Sequence, residues 1–169
     1  MGRHRSARGT SRRRLRRRRE TGREIEVDGV RISTTPDTGV GRLLEERIIA
    51  FNVATTGIDD AKPITGTVRG PDGEVLAGTH GWSWGGTCWI ESLWVREDMR
   101  GRGMGSALLY FAEREALARR CHQLALDTHS FQAPDFYLRH GFQIVGQLDG
   151  YPAGHARLVM RKPLGPVDG

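Results

Sequence analysis

The segment "MRGRGMGSALL", Met99 to Leu109, decides the reading of this chain. Glycines at 101, 103 and 105 alternate with Arg100, Arg102 and Met104 before the chain turns small and apolar. Upstream, "TCWIESLWV" (87–95) is aromatic and β-branched and reads as a strand. Downstream, Met104, Ala107, Leu108, Phe111 and Ala112 fall on one face of a helix that runs to about Arg120. Arg119 and Arg120 close that helix where its dipole favours cations. Glycine is costly at a helix start, so three of them at a strand-to-helix junction need a reason. Unpaired amides at a helix N-terminus point at whatever sits there, and glycine lets a ligand approach the backbone closely. Each charge at a helix end contributes only roughly 0.3–1 kcal/mol, so several amides must act together with Arg100 and Arg102. The segment reads as a cradle for a pyrophosphate.

Its spacing excludes two common phosphate loops. No Lys precedes Ser106, so GxxxxGK[ST] fails, and no third glycine completes GxGxxG. An ATP- or NAD-binding enzyme is therefore disfavoured. What remains is R-x-x-G-x-G at Arg100, Gly103 and Gly105, preceded by "LWV", with "AxxFYxxxGF" (Ala133, Phe136, Tyr137, Gly141, Phe142) further on. These two motifs, in this order, resemble the acetyl-CoA site of the GNAT superfamily of N-acetyltransferases over roughly residues 25–162.

The remaining pattern agrees with that order. "EIEVDGVRIS" (24–33) alternates as a strand or an Asp-Gly hairpin. A helix follows near Pro36, with Leu44, Ile48 and Phe51 at helical spacing and Gly39 and Gly41 weakening its first turn. Two strands flank the Pro-Asp-Gly turn at 71–73, "QLALDTH" (123–129) is a strand, and Pro134 to Gly141 brackets a short helix. "QIVGQL" and "ARLVMRK" close the chain as strands. The order β-α-β-β-β-α-β-α-β-β makes an α/β domain around one mixed sheet. The resemblance implies a central, twisted, mostly antiparallel sheet flanked by helices.

It also implies roles. The backbone of Leu93, Trp94 and Val95 would hold the pantetheine arm and thioester carbonyl where the sheet splays. The amides of Arg100, Gly101, Arg102, Gly103, Met104, Gly105 and Ser106 would hold the pyrophosphate. Tyr137 stands where the family places a hydroxyl near the CoA sulfur. Seven residues before it the family often has Asn; here it is Ser130, which changes one cofactor contact.

Acetyl transfer to an amine needs a free base, a stabilised oxyanion and a leaving thiolate. A lysine-like amine with pKa about 10.4 is only about one part in a thousand free base near neutral pH, so a base or a water path helps. By strand alternation Glu91 shares a face with Leu93 and Val95, and burial there would raise its pKa to a useful value. The alternative is a carboxylate at a sheet margin paired with an arginine. His129, after "LALD", is a rival base whose residue type titrates in the right range. Tyr137 can protonate the leaving sulfur or simply pack in the core. Trp82, Trp84 and Trp89 form an aromatic wall if exposed and core if buried; core is the expectation. The loop "DGYPAGH" (149–155) either closes over the acceptor or merely connects strands. The histidines show no metal spacing, and no metal is assigned.

Composition sets the outer limits. The chain has 169 residues, 37% of them hydrophobic, with four Trp, an ordinary globular balance. Residues 1–23 carry eleven Arg against one Glu, leaving 15 basic and 19 acidic residues in the rest, a mildly acidic body. The tail lacks aromatics for base stacking and reads as disordered, a solvated extension or a tether to nucleic acid. The expected organisation is a tail at 1–23, an acetyltransferase domain at 24–165 and a short tail at 166–169. Cys88 and Cys121 have no CxxC spacing and read as reduced, buried thiols, so a covalent acetyl-cysteine route is disfavoured. No signal peptide or membrane span is apparent, and a cytoplasmic location is expected.

These readings converge on an acetyl-CoA-dependent N-acetyltransferase that transfers directly to an amine in a ternary complex. The acceptor would be a small polyamine or amino-sugar antibiotic, an amino acid or a protein amine. The alternative is a non-catalytic acyl-CoA-binding regulator held on nucleic acid by the Arg-rich tail. Exposed strand edges near the C-terminus leave a homodimer open.

Overall fold

The computed structural model describes residues 24–165. The expectations for the tails at 1–23 and 166–169 lie outside the described residues. The chain divides into two compact units, the sequence boundary falling between Ala50 and Phe51. In the first, β1 (Glu24–Val27) and β2 (Val30–Ser33) form an antiparallel hairpin. Its turn places Asp28 and Gly29 at positive φ, 48° and 78°, as an Asp-Gly hairpin requires. Helix α1 (Thr38–Thr56) begins in this unit, where the Asp37 carboxylate accepts the Gly39 N–H at 2.8 Å.

The second unit carries β3 (Lys62–Arg69), β4 (Val75–Trp84), β5 (Thr87–Val95), α2 (Met104–Ala118), β6 (Gln123–His129), α3 (Pro134–Arg139), β7 (Gln143–Asp149) and β8 (Ala156–Pro163). Six strands make one mixed sheet in the order β3-β4-β5-β6-β8-β7. All neighbours are antiparallel except β5 and β6. Strand β6 reads as a near-continuous apolar run because Leu124, Ala125 and Leu126 are all buried. Helix α2 packs across β3, β4, β5 and β6. The core between them holds Ile64, Ile90, Leu109, Ala112, Ala116, Leu126 and Met160.

Arg119 does more than complement the helix dipole. Its guanidinium donates to the carbonyls of Lys62 and Pro63 at 3.2 and 3.0 Å and to Ser83 Oγ at 3.2 Å. Glu115 holds it at 3.0 Å, so the end of α2 is tied to the start of β3.

Two departures from simple strand alternation shape the site. Register pairs Gly81 with Ile90 but His80 with Ser92, leaving Glu91 as the extra residue of a β-bulge. Inward positions on β5 therefore switch from Cys88 and Ile90, which are buried, to Leu93, which packs on the core. The parallel ladder between β5 and β6 stops at the same place, its last pair being Ile90 with Leu126. Beyond it the two strands part.

Gly81 makes the bulge sterically feasible, because a Cβ there would run into the Trp89 carbonyl. Gly81→Ala is expected to lower unfolding stability by about 3 kcal/mol, read as a drop in the urea midpoint without loss of secondary structure.

Candidate functional site

Where β5 and β6 part, a cleft of about 1100 Å³ opens. It is walled by Glu91 to Val95 on one strand, Asp127 to His129 on the other, and the start of α2 and the face of α3. Beyond Ile90 the β5 edge facing β6 has no strand partner, so alternate N–H and C=O groups there face the opening. Leu93, Trp94 and Val95 all line it, and the Val95 carbonyl accepts from Arg100 Nε at 3.3 Å.

A turn of 3₁₀ helix, Glu97–Met99, delivers the chain from β5 to the glycine segment. Arg96 anchors this turn, bonding Asp98 at 2.6 and 2.9 Å and Glu74 at 3.1 Å. The hydrogen bonds from Arg96 hold the Asp98 carboxyl below its ordinary range. Sequence reading missed this clamp, although an arginine two residues before an aspartate was its visible trace.

The three glycines divide the labour. Gly101 and Gly103 have φ of 73° and 81°, with open space where a Cβ would stand. Gly103 caps α2 in the left-handed region without any side-chain cap. The first amides of the helix are therefore left for a ligand. Gly105 instead serves packing: a Cβ there would lie 3.1 Å from the Phe136 ring. The Arg100 amide already donates to the Glu97 carbonyl at 3.2 Å, so the free run begins after it. Arg100, Met104 and Ser106 line the cleft, while Arg102 is exposed and outside the lining. A strand edge with free peptide groups and a helix start with free amides, both open to one cleft, fit the extended arm and diphosphate of acetyl-CoA.

Tyr137 sits on α3, 9% exposed, with edge contacts to Phe136 and Phe142 at 5.2 and 5.8 Å. Its hydroxyl makes no hydrogen bond among the described residues, and Tyr137 lines the cleft. Burial raises the phenol above its ordinary value, which keeps it protonated and able to donate. Tyr137 is thus both core and cleft residue.

Glu91 is where alternation misleads. It lines the cleft, yet the bulge turns it to the face opposite Leu93. Its partners are Trp82 Nε1 at 3.2 Å and His80 Nε2 at 3.4 Å, and His80 Nδ1 meets Thr65 Oγ1 at 3.1 Å. The burial expected for Glu91 is absent, since its side chain is 48% exposed. The tryptophans correct a second expectation: none belongs to the buried cluster. Trp82 is exposed on the Glu91 face opposite Trp89, and Trp84 donates to the Ile58 carbonyl at 3.1 Å.

His129 ends β6 and lines the opposite wall, its ring stacked on Phe131 at 5.2 Å and against Tyr151 at 5.6 Å. The 149–155 loop thus packs on the end of β6 through Tyr151 and His155. His155 packs edge-on to Phe131 at 4.9 Å, and Arg157 lies 5.7 Å over the Tyr151 ring while bonding Asp127 at 2.7 Å. Ser130 lies outside the cleft lining; it exchanges hydrogen bonds with the Ala156 backbone at 2.8 and 3.1 Å and ties β8 to this end. A further pair was unforeseen: His140 Nε2 reaches Ser106 Oγ at 2.9 Å across the cleft base, and its Nδ1 reaches the Phe136 carbonyl at 2.8 Å.

The profile of the acetyltransferase (GNAT) family matches residues 37–142. The chain belongs to this family. It is 31% identical over 131 residues to an acetyltransferase of Agrobacterium fabrum, covering 78% of this chain and 96% of that one. It is 36% identical over 101 residues to the blasticidin-S acetyltransferase of Streptomyces morookaense, covering 56% and 71%. The crystal structure of an acetyltransferase from Bacillus cereus superposes with a TM-score of 0.68 at 30% identity, covering 76% and 94%. Acetyl-CoA is accordingly the co-substrate of this acetyltransferase, and no described helix is long and apolar enough to cross a membrane.

Neither cysteine enters the cleft. Cys88 and Cys121 are buried at 0% and 2% exposure, and burial pushes the Cys88 thiol up to about 11. Both thiols are expected to resist iodoacetamide at about pH 8 in the folded protein and to react within minutes in urea, by mass spectrometry. A raised thiol pKa favours the fold below the ordinary value of 9.0, and that contribution is lost as pH rises through about 11.

Proposed function

We propose that this acetyltransferase transfers acetyl directly to the amine of a small cationic acceptor, in a ternary complex without an acyl-enzyme. The observation that carries the reading is a single cleft that joins free backbone donors, a protonated phenol and carboxylates. The absence of both cysteines from its lining supports direct transfer over a covalent route. Acetyl-CoA supplies an acyl group activated on sulfur, whose carbonyl carbon the amine attacks.

The chain's own residues then divide three tasks. Amides on the open edge from Glu91 to Val95 hold the carbonyl oxygen as it gains charge, at low reorganisation cost because the strand is fixed. Glu91 receives the ammonium proton, oriented by the indole of Trp82 and by His80. Tyr137 gives its proton to the departing sulfur, and burial keeps that proton in place at neutral pH. His129 is the other candidate acceptor of the proton, on the facing wall.

Charge and ring chemistry support a cationic acceptor. Glu91 and Asp127 face the same opening, flanked by Trp94, Phe131 and His129. The relative named for blasticidin-S supports an antibiotic-type small molecule over a protein amine.

Tyr137→Phe is expected to reduce kcat by at least about a hundredfold while leaving the melting temperature unchanged, since the hydroxyl makes no hydrogen bond among the described residues. Release of free CoA thiol in the presence of candidate amines reads the rate. Glu91→Gln is expected to lower kcat/KM for a cationic amine by a similar factor, with His129→Gln costing less than tenfold. The reverse ranking would move the base to His129.

A further inference from the structure

Ser106 and His140 form a pair that none of the steps above uses. Ser106 is the third residue of α2, at the glycine cradle, and its hydroxyl lies 2.9 Å from His140 Nε2. The other ring nitrogen, Nδ1, lies 2.8 Å from the Phe136 carbonyl. A carbonyl only accepts, so Nδ1 carries hydrogen in both charge states of the ring. In the neutral ring Nε2 then holds a lone pair, and the Ser106 O–H is used up in donating to it. In the charged ring Nε2–H donates instead. The serine oxygen accepts, and its own hydrogen is released toward the cleft. One serine in one place thus has two hydrogen-bond polarities, chosen by a proton on His140.

We propose that His140 is a positioning residue that takes up a proton when the diphosphate of acetyl-CoA binds, turning the Ser106 hydroxyl toward it and adding a nearby cation. The inference rests on reading the start of α2 as the diphosphate cradle. Both residues line the cleft and are half-buried, and the tilted Phe136 ring at 4.5 Å holds the imidazole in this orientation. Arg139 and Tyr137 stand beside His140 on its own short helix. Arg100 belongs to the same lining, Asp135 lies in the first turn of α3, and Lys162 passes beside Gly141 while bonding Glu113 of α2 at 2.8 Å.

The sign follows. An anion favours the protonated ring, so binding takes up a proton and affinity rises as pH falls. Acetyl-CoA itself has a titrating 3′-phosphate, so the probe is 3′-dephospho-acetyl-CoA, whose diphosphate stays ionised throughout.

The experiment is isothermal calorimetry of the full chain with this probe at about pH 5.5 and about pH 8, in buffers of different ionisation enthalpy. The expected result is about tenfold tighter binding at the lower pH, the worth of one charge-assisted hydrogen bond, with net proton uptake. His140→Gln should bind with little pH dependence and no uptake. Ser106→Ala, which leaves the ring in place, should lose at least about half of the logarithmic dependence. An affinity independent of pH in the unaltered protein, or the same slope in His140→Gln, would overturn the inference. So would an undiminished slope in Ser106→Ala, which carries the test if His140→Gln does not fold. No binding at either pH would overturn the cradle and the inference together, whereas binding without a slope overturns the inference alone.

Discussion

The parting of β5 from β6 after Ile90 and Leu126 is the constraint on which the rest of the molecule depends. A parallel ladder satisfies backbone groups on both strands, and ending it early leaves donors and acceptors that must find other partners. The bulge at Glu91 coincides with that end and bends β5 away. Its feasibility depends on Gly81, the one residue type that lets the Trp89 carbonyl pass so close. A sheet that is continuous at one end and open at the other is therefore built from one extra residue and one missing side chain.

The walls of the cleft are hung on that opening. The Arg96 clamp to Glu74 and Asp98 sets the turn that brings the glycine segment to its mouth. Left-handed Gly103 starts α2 with its first amides free, and Gly105 lets α3 approach closely enough for Phe136, Tyr137 and His140 to reach the same space. Arg119 fixes the far end of α2 to β3 and β4, so the helix cannot slide along the sheet without breaking two hydrogen bonds to β3 and one to Ser83 of β4. Cleft-lining elements and packing elements share residues, which explains why Tyr137 belongs at once to the core and to the cleft.

The β6 end of the cleft is built differently. There the 149–155 loop is held to β6 by rings and by one ion pair: Tyr151 and His155 against His129 and Phe131, and Arg157 between Asp127 and the Tyr151 ring. Such contacts are adaptable compared with a strand ladder, and their chemistry varies with a few side chains. The cleft thus has one wall of strand backbone and helix amides and another of side-chain rings and ions.

Element order and type were legible from sequence because they rest on local rules. Alternation left 24–33 as a strand or an Asp-Gly hairpin, and the structure shows the hairpin; "TCWIESLWV" and "QLALDTH" coincide with β5 and β6, and Pro134 and Gly141 bracket α3. The two motifs carried the resemblance to the family, which the match over residues 37–142 bears out. What sequence could not decide were the outcomes that depend on pairing. Alternation assigned Glu91 to the face of Leu93, but the register across to His80 and Gly81 inserts a bulge, and a one-residue slip exchanges the faces of a strand. The tryptophans read as core by composition, yet the same register puts Trp82 on the exposed face with Glu91. Ser106 and His140 are 34 residues apart, and only the packing of α3 on the start of α2 makes them neighbours. The chain by itself determined which elements form and which family they resemble; the tertiary structure alone decided which side chains face the cleft, because facing is a property of strand register and helix contact, not of local spacing.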